Sequence, residues 1–140
     1  MRKPLLFVVG VASVASVLVC AAPRPAKAIK QFKDQFEAKY VKPDSNDPTD
    51  KAFAAEVQKV KCLVCHEGTS KKNHNVYGKA LKKLLNRQTD RDNKEKIQKA
   101  LDTVAAEKAA PNVPDSPTFG QLIASGKLPG GEPKQGSAPK

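Results

Sequence analysis

The 140-residue chain is poor in aromatic and sulfur-containing side chains: it has no Trp, two Tyr, five Phe, three Cys and a single Met at position 1. Few rings are therefore left for stacking on bases, so the excess of 25 basic over 14 acidic residues does not indicate nucleic-acid binding. Strand-like alternation of apolar and polar residues is also missing, whereas apolar residues recur at helical spacing. We expect an all-α protein with no nucleic-acid partner.

The first 28 residues have the pattern of a secretory signal peptide. Two basic residues precede an apolar run over residues 5–19, which is shorter than a membrane span, and residues 26–28 read Ala-Lys-Ala, the A-x-A form of a cleavage site. We expect cleavage there, a mature chain that starts at Ile29, and export to the periplasm. Two alternatives are an uncleaved leader that anchors the chain in the membrane and acylation of Cys20, although a bulky residue precedes that cysteine.

Residues 62–66 read Cys-Leu-Val-Cys-His, a spacing typical of covalent haem attachment. Two thiols three residues apart lie on one side of a helical turn, where each can add to a vinyl group of haem, and the adjacent imidazole then lies beneath the iron. The sequence therefore predicts one covalent haem c, attached through Cys62 and Cys65, with His66 as the proximal axial ligand. Because bacteria attach this haem after export, the leader and the motif support each other.

Two other kinds of site use similar residues. A zinc site could combine Cys62 and Cys65 with His74, but it lacks a fourth ligand unless His66 bends back from its position beside Cys65. A thioredoxin-like dithiol requires a βαβ setting, which the helical pattern of this chain does not provide. Haem attachment is the better interpretation of the motif.

The distal face of the iron depends on what the mature chain can supply. Met1 leaves with the leader, so a methionine thioether is excluded. His74 lies eight residues after His66, and an extended loop of that length can pass round the edge of the macrocycle, so His74 is the favoured distal ligand. Tyr77, a loop lysine or an open position are the alternatives.

The distal ligand decides between two functions. Ligation by two histidines suits outer-sphere transfer of single electrons, since no small molecule can bind without displacing a ligand. An open or weakly ligated position allows binding or sensing of CO or NO. Peroxidase chemistry needs a distal acid/base and a charge stabiliser, and the sequence offers no candidate for the second. We therefore expect a non-enzymatic electron carrier, with weak peroxidase activity left open.

Five helices follow from periodicity and capping signals. The first runs from Ile29 and ends before Pro43. Asp47 is predicted to cap the second helix, which leads directly into the haem motif. Residues 67–75 are rich in Gly, Ser, Lys and Asn and indicate a loop around the haem edge.

The remaining helices lie after this loop. The fourth helix is expected to be capped by Thr89 or Asp90, and a short fifth helix to start at Ser116 and end at Gly126. The third helix is expected to turn five side chains inward, namely Tyr77, Ala80, Leu81, Leu84 and Leu85.

These signals divide the chain into a leader at 1–28, one domain at 29–128 and a tail at 129–140 that is expected to be disordered. Loss of the leader removes four basic residues and no acid, so the net charge falls from +11 to about +7. Such a basic carrier is expected to dock on an acidic face of a redox partner. The sequence leaves open whether it acts alone or in a homo- or hetero-dimer.

The chain resembles the small exported monohaem members of the c-type cytochrome family. The resemblance rests on residues 62–66 and on the helices that flank them. It implies a bundle of four to five helices around one haem and a role in electron transfer between larger redox proteins. Class I members have a shorter segment before the motif than residues 29–61, and they carry a distal Met. Class II members place the motif near the C-terminus, whereas 74 residues follow His66 here.

Overall fold

The structure, a computed structural model, describes residues 30–133. The expected signal peptide, its cleavage site, Cys20 and residues 134–140 lie outside the described residues. Within them the chain forms five α-helices, one 3₁₀ turn and no regular strand, which confirms the all-α class. None of these helices has the length and apolar character needed to cross a membrane. The elements are α1 (Lys30–Tyr40), α2 (Pro48–Val60), the 3₁₀ turn (Lys61–Val64), α3 (Val76–Leu84), α4 (Lys94–Ala105) and α5 (Phe119–Ala124).

A cluster of aromatic rings joins α1, α3 and α5. The ring of Tyr77 lies edge-to-face against Phe36, at 5.8 Å between centroids, and against Phe119, at 5.2 Å. The Tyr40 hydroxyl donates to the carbonyl oxygen of Leu101 at 3.1 Å and so fixes α1 on α4. Aromatic pairs of this geometry stabilise a core beyond the area that they bury. The bundle is therefore organised around Tyr77.

Helix α2 begins as predicted and ends at a strained residue. The side chain of Asp47 accepts hydrogen bonds from the backbone N–H groups of Thr49 at 2.6 Å and Asp50 at 3.4 Å. At the other end Lys61 has φ of +51°, the one positive value for a non-glycine residue between positions 30 and 133. Its N–H still bonds to the carbonyl of Val57. The chain therefore leaves the helix abruptly, directly before the first cysteine of the motif.

The prediction that Thr89 or Asp90 caps α4 is wrong. The cap is Asn93, whose side chain accepts from the backbone N–H of Lys96 at 2.9 Å. Asp90 is buried instead, and it accepts from the Asn86 N–H at 2.8 Å and from the Lys96 ammonium group at 2.7 Å. Its carboxylate is thus used to hold the loop between α3 and α4.

Helix α5 starts three residues later than predicted, at Phe119 instead of Ser116. Its cap is Thr118, which forms a reciprocal capping box with Gln121. The hydroxyl of Ser116 is engaged elsewhere, because it accepts from the backbone N–H of Ala110 at 2.9 Å. The predicted end is confirmed: Gly126 has φ of +74°, a left-handed conformation that glycine adopts without steric cost.

The packed part of the chain extends past residue 128. Leu128 is buried and the side chain of Pro129 is fully buried. A Cβ atom on Gly130 would lie 2.0 Å from the side-chain nitrogen of Asn75, so the backbone of Gly130 rests against that amide. The tail expected from residue 129 therefore begins no earlier than residue 131.

Candidate functional site

A cavity of about 790 Å³ opens between α1, the Cys-X-X-Cys-His segment, α3 and the loop that follows α3. Its volume lies within the range of clefts that bind cofactors. Leu84, predicted to point inward, is 38% exposed because it lines this cavity where the cavity meets solvent. The apolar side chains of the wall are Phe32, Phe36, Val64, Leu81, Leu84 and Leu85.

The motif folds as a tight turn that places its three functional side chains on the cavity wall. The backbone N–H groups of Cys65 and His66 both donate to the carbonyl of Cys62, at 3.3 and 3.1 Å. Neither cysteine forms a disulfide. Burial, and then the neighbouring Cys62, raises the pKa of Cys65 to about 12. Cys65 is therefore a neutral thiol at neutral pH.

The ring of His66 is oriented by a backbone carbonyl. Its Nδ1 lies 3.0 Å from the carbonyl oxygen of Asn73. A carbonyl can only accept, so Nδ1 must carry the proton, and in a neutral ring Nε2 then keeps its lone pair. Burial lowers the pKa of His66, while the bond to Asn73 opposes that shift. The result is a neutral imidazole with Nε2 available to bind a metal ion.

The structure places His74 beside His66 rather than across the cavity from it. The two residues pair in an isolated antiparallel bridge, and their ring centroids lie 4.6 Å apart at an interplanar angle of 39°. Two imidazoles bound to opposite faces of one metal ion, with metal–nitrogen bonds of about 2 Å, have ring centres about 6 Å apart. Burial, and then His66, lowers the pKa of His74. Ligation of one iron by both rings would therefore require the 67–75 loop to rearrange.

The other distal candidates differ in their access to the cavity. Tyr77 is fully buried and is not part of the cavity wall, and its hydroxyl finds no hydrogen-bond partner among residues 30–133. Burial raises the pKa of Tyr77 far above its usual range. By contrast, Lys71 and Lys72 of the loop line the cavity. A loop lysine is thus the alternative that this conformation allows.

Basic side chains surround the cavity. Among the residues that line it, the one acid is Asp90, whose carboxylate is bonded to the Lys96 ammonium group at 2.7 Å. Of the other basic residues that line the cavity, Lys33 alone forms an ion pair within residues 30–133, with Glu37. The rest are therefore free to attract an anionic partner. The basic residues are Lys33, Lys61, Lys71, Lys72, Lys82, Lys83, Arg87 and Lys96.

Sequence analysis missed the residue that joins the motif to α3. Asn75 is buried, and its side chain bonds both to the motif turn and to the first turn of α3. A signal was present, because Asn directly before an apolar helical pattern is a typical N-cap. The two phenylalanines of α1 that reach the cavity, Phe32 and Phe36, were not predicted as site residues.

The alternative zinc site has no geometric support. Within residues 30–133, no group of three or more His, Cys, Asp or Glu side chains is arranged to hold a metal ion. The His66–His74 pair and the two cysteines line the same cavity without forming a tetrahedral set.

Comparison with protein-family profiles, with curated proteins and with solved structures finds no match. The functional interpretation therefore depends on the residues and geometry of this chain.

Replacing Gly78 by Ala is expected to separate α3 from the motif. A Cβ atom there would lie 1.9 Å from the carbonyl oxygen of Cys65. Such overpacking costs about 1–3 kcal/mol or more of folding free energy. This cost exceeds the stability of about 1 kcal/mol that is gained when a helical glycine is replaced by alanine. Gly120→Ala is the matched control, because Gly120 also lies in a first helical turn and its nearest contact would be 3.0 Å. We expect a lower urea midpoint for Gly78→Ala than for Gly120→Ala; equal midpoints would contradict the close approach.

Proposed function

We propose that this protein is an exported c-type cytochrome that binds one haem covalently and transfers single electrons between redox partners. The observation that carries the proposal is the arrangement of Cys62, Cys65 and His66 on one wall of a cofactor-sized cavity. The leader pattern at residues 1–28 supports a periplasmic location, where thioether attachment takes place.

The chemistry of the cavity fits a porphyrin. Cys62 and Cys65 offer two thiols on the same wall, at the spacing that two vinyl groups require. Apolar side chains that line the same cavity, including Phe36 and Leu81, can cover the faces of a flat macrocycle and exclude water. His66 would supply the proximal ligand through Nε2. Bound haem would supply a redox-active iron.

The residues around the proximal imidazole also suit this role. The Asn73 carbonyl accepts from Nδ1 of His66, which fixes the ring and increases the electron density that Nε2 can donate. That effect stabilises a higher positive charge on a bound metal and so favours a lower reduction potential. Asn73 would therefore act through His66, as a tuning residue for electron transfer.

The basic residues around the mouth support docking on an acidic partner. Four of the residues that line the cavity and are exposed to solvent are Lys71, Lys72, Lys82 and Lys83. Unpaired cations of this kind raise the rate of encounter with an acidic protein without requiring a large interface.

A second candidate function is reversible binding of CO or NO. The contact between the rings of His66 and His74 favours it, because in this arrangement His74 does not lie on the face opposite His66. The distal position would then be open or held by a weak ligand such as a loop lysine.

Protein purified from a periplasm with an active haem-attachment pathway should carry a mass increment of roughly 616 Da that survives denaturation, as expected for a thioether-linked haem. The double variant Cys62→Ala, Cys65→Ala should lose this increment, because no thiol remains to form the bonds. Cys20→Ala is the matched control and should keep the increment, since Cys20 lies outside the motif. Native protein without the increment would exclude the proposed function.

If the second candidate is correct, reduced protein should show a shifted Soret band in the presence of CO, and His74→Ala should behave in the same way. The reason is that His74 lies beside the proximal imidazole and leaves the distal face to an exchangeable ligand. The measurement is the optical spectrum with and without CO. A native spectrum that CO leaves unchanged, together with a shifted spectrum for His74→Ala, would establish His74 as the distal ligand and contradict the second candidate.

The double variant Lys71→Glu, Lys72→Glu should slow oxidation of the reduced protein by anionic ferricyanide by about tenfold at low ionic strength, because a basic approach path steers anions. Oxidation by a cationic cobalt(III) complex should become faster. Lys51→Glu, Lys94→Glu makes the same change in net charge at exposed residues outside the cavity wall. Equal rates for the two double variants would show that the mouth has no special electrostatic role.

A further inference from the structure

The side chain of Asn75 uses both of its N–H donors and its acceptor oxygen to join two segments. Its Nδ2 amide donates to the carbonyl oxygens of Leu63 and Val64, each at 3.0 Å. Its Oδ1 accepts from the backbone N–H of Gly78 at 2.9 Å, which caps α3. Asn75 is 7% exposed, so these bonds form away from solvent. One amide thus links the motif turn to the helix that follows the loop.

The backbone of Asn75 continues the same link. Its N–H donates to the carbonyl of Cys65 at 3.2 Å, so three consecutive motif residues, 63–65, accept hydrogen bonds from this one residue. Neighbouring glycines close around it. A Cβ on Gly78 would collide with the Cys65 carbonyl at 1.9 Å, and one on Gly130 would collide with the Asn75 amide at 2.0 Å. The backbone of Gly130 therefore packs closely against the Asn75 amide, and that of Gly78 against the Cys65 carbonyl.

This link also sets the orientation of His66. Asn73 lies two residues before Asn75. Its carbonyl oxygen accepts from His66 Nδ1 at 3.0 Å and from the backbone N–H of Glu67 at 3.2 Å. The position of that carbonyl depends on the pairing of residues 73–75 with residues 65–67, and Asn75 closes one end of that pairing.

We propose that Asn75 is a positioning residue, which holds the attachment turn and the Asn73 carbonyl so that Cys62, Cys65 and His66 face the cavity in the geometry that haem attachment requires. The part that concerns haem rests on the proposed function; the orientation of the His66 ring does not. The capping role and the positioning role are separable. Asp and Asn are about equally good N-caps, but a carboxylate cannot donate to the carbonyls of Leu63 and Val64.

The test compares Asn75→Asp with Asn93→Asp. Asn93 is the N-cap of α4, and the one side-chain hydrogen bond it forms within residues 30–133 is accepted by Oδ1, so Asp replaces it without loss of a donor. In material matured under identical conditions, we expect Asn75→Asp to lower the fraction of chains with haem by at least about tenfold, because two buried hydrogen bonds are lost and one alone corresponds to about that factor. We expect Asn93→Asp to load as the native chain does.

The reduction potential of the haem-loaded fraction distinguishes positioning from a general loss of stability. If Asn75 holds the Asn73 carbonyl, loss of the Asn75 amide weakens the bond from His66 Nδ1 to that carbonyl and makes the imidazole a poorer electron donor to iron. The reduction potential should therefore rise in Asn75→Asp and stay unchanged in Asn93→Asp. Asn75→Ser keeps a cap without a buried charge and should shift the potential in the same direction, should the Asp variant not fold. The proposal is overturned if the Asn75 variants lose thermal stability while loading and potential stay native.

A failure of the proposed function would be seen separately. If the native chain carries no haem, the ring tautomer of His66 is measured in that chain by ¹⁵N chemical shifts. The native protein and Asn93→Asp should then show protonated Nδ1, and Asn75→Asp should show a mixture of tautomers. An unchanged tautomer in Asn75→Asp would refute the positioning role.

Discussion

Two backbone hydrogen bonds between residues 65–67 and 73–75 hold the candidate site together. The Cys65 carbonyl accepts from Asn75 and the Asn73 carbonyl accepts from Glu67, both at 3.2 Å. This pairing brings the end of the motif next to the start of α3 and closes the loop between them. It places the carbonyl that orients His66 and the amide that anchors the turn. Without it, only the Asn75 side chain and the core packing of Leu63 and Val64 would hold the motif turn in place.

The cavity and the hydrophobic core share residues. Phe36 packs against Tyr77 in the aromatic cluster, and it also lines the cavity. Val64 and Leu81 belong to the buried core and to the wall as well. A group bound in the cavity would therefore contact the core directly and extend it. In a domain of this size, where the buried apolar area is limited, such a group contributes to folding as well as to chemistry.

The parts of the structure that depend on local sequence could be predicted, and the parts that depend on tertiary pairing could not. Helical periodicity and the Asp47 cap indicated the helices, because these signals act over one or two turns. The start of α4 could not be chosen from sequence, since several Asn and Asp residues lie close together and the bond from Lys96 to Asp90 decides which of them is free to cap.

The candidate site shows the same limit. The motif identified Cys62, Cys65 and His66, and all three line the cavity. For His74, loop length established how far the residue could reach, but not in which direction. The direction is set by the antiparallel bridge to His66, which depends on the buried contacts of the neighbouring Asn75. Those contacts lie eleven and twelve residues apart in the chain, beyond the range of any local pattern.

The contact between Gly130 and Asn75 has a consequence for the order in which the molecule is assembled. The segment that covers the amide lies near the end of the chain, with Pro129 fully buried beside it. During synthesis this segment leaves the ribosome well after the cysteines, because it lies later in the chain. The turn around the two thiols thus stays incompletely packed until residues 129–130 have been made. Until that segment docks on Asn75, the two thiols are more accessible to reagents than they are in the folded chain.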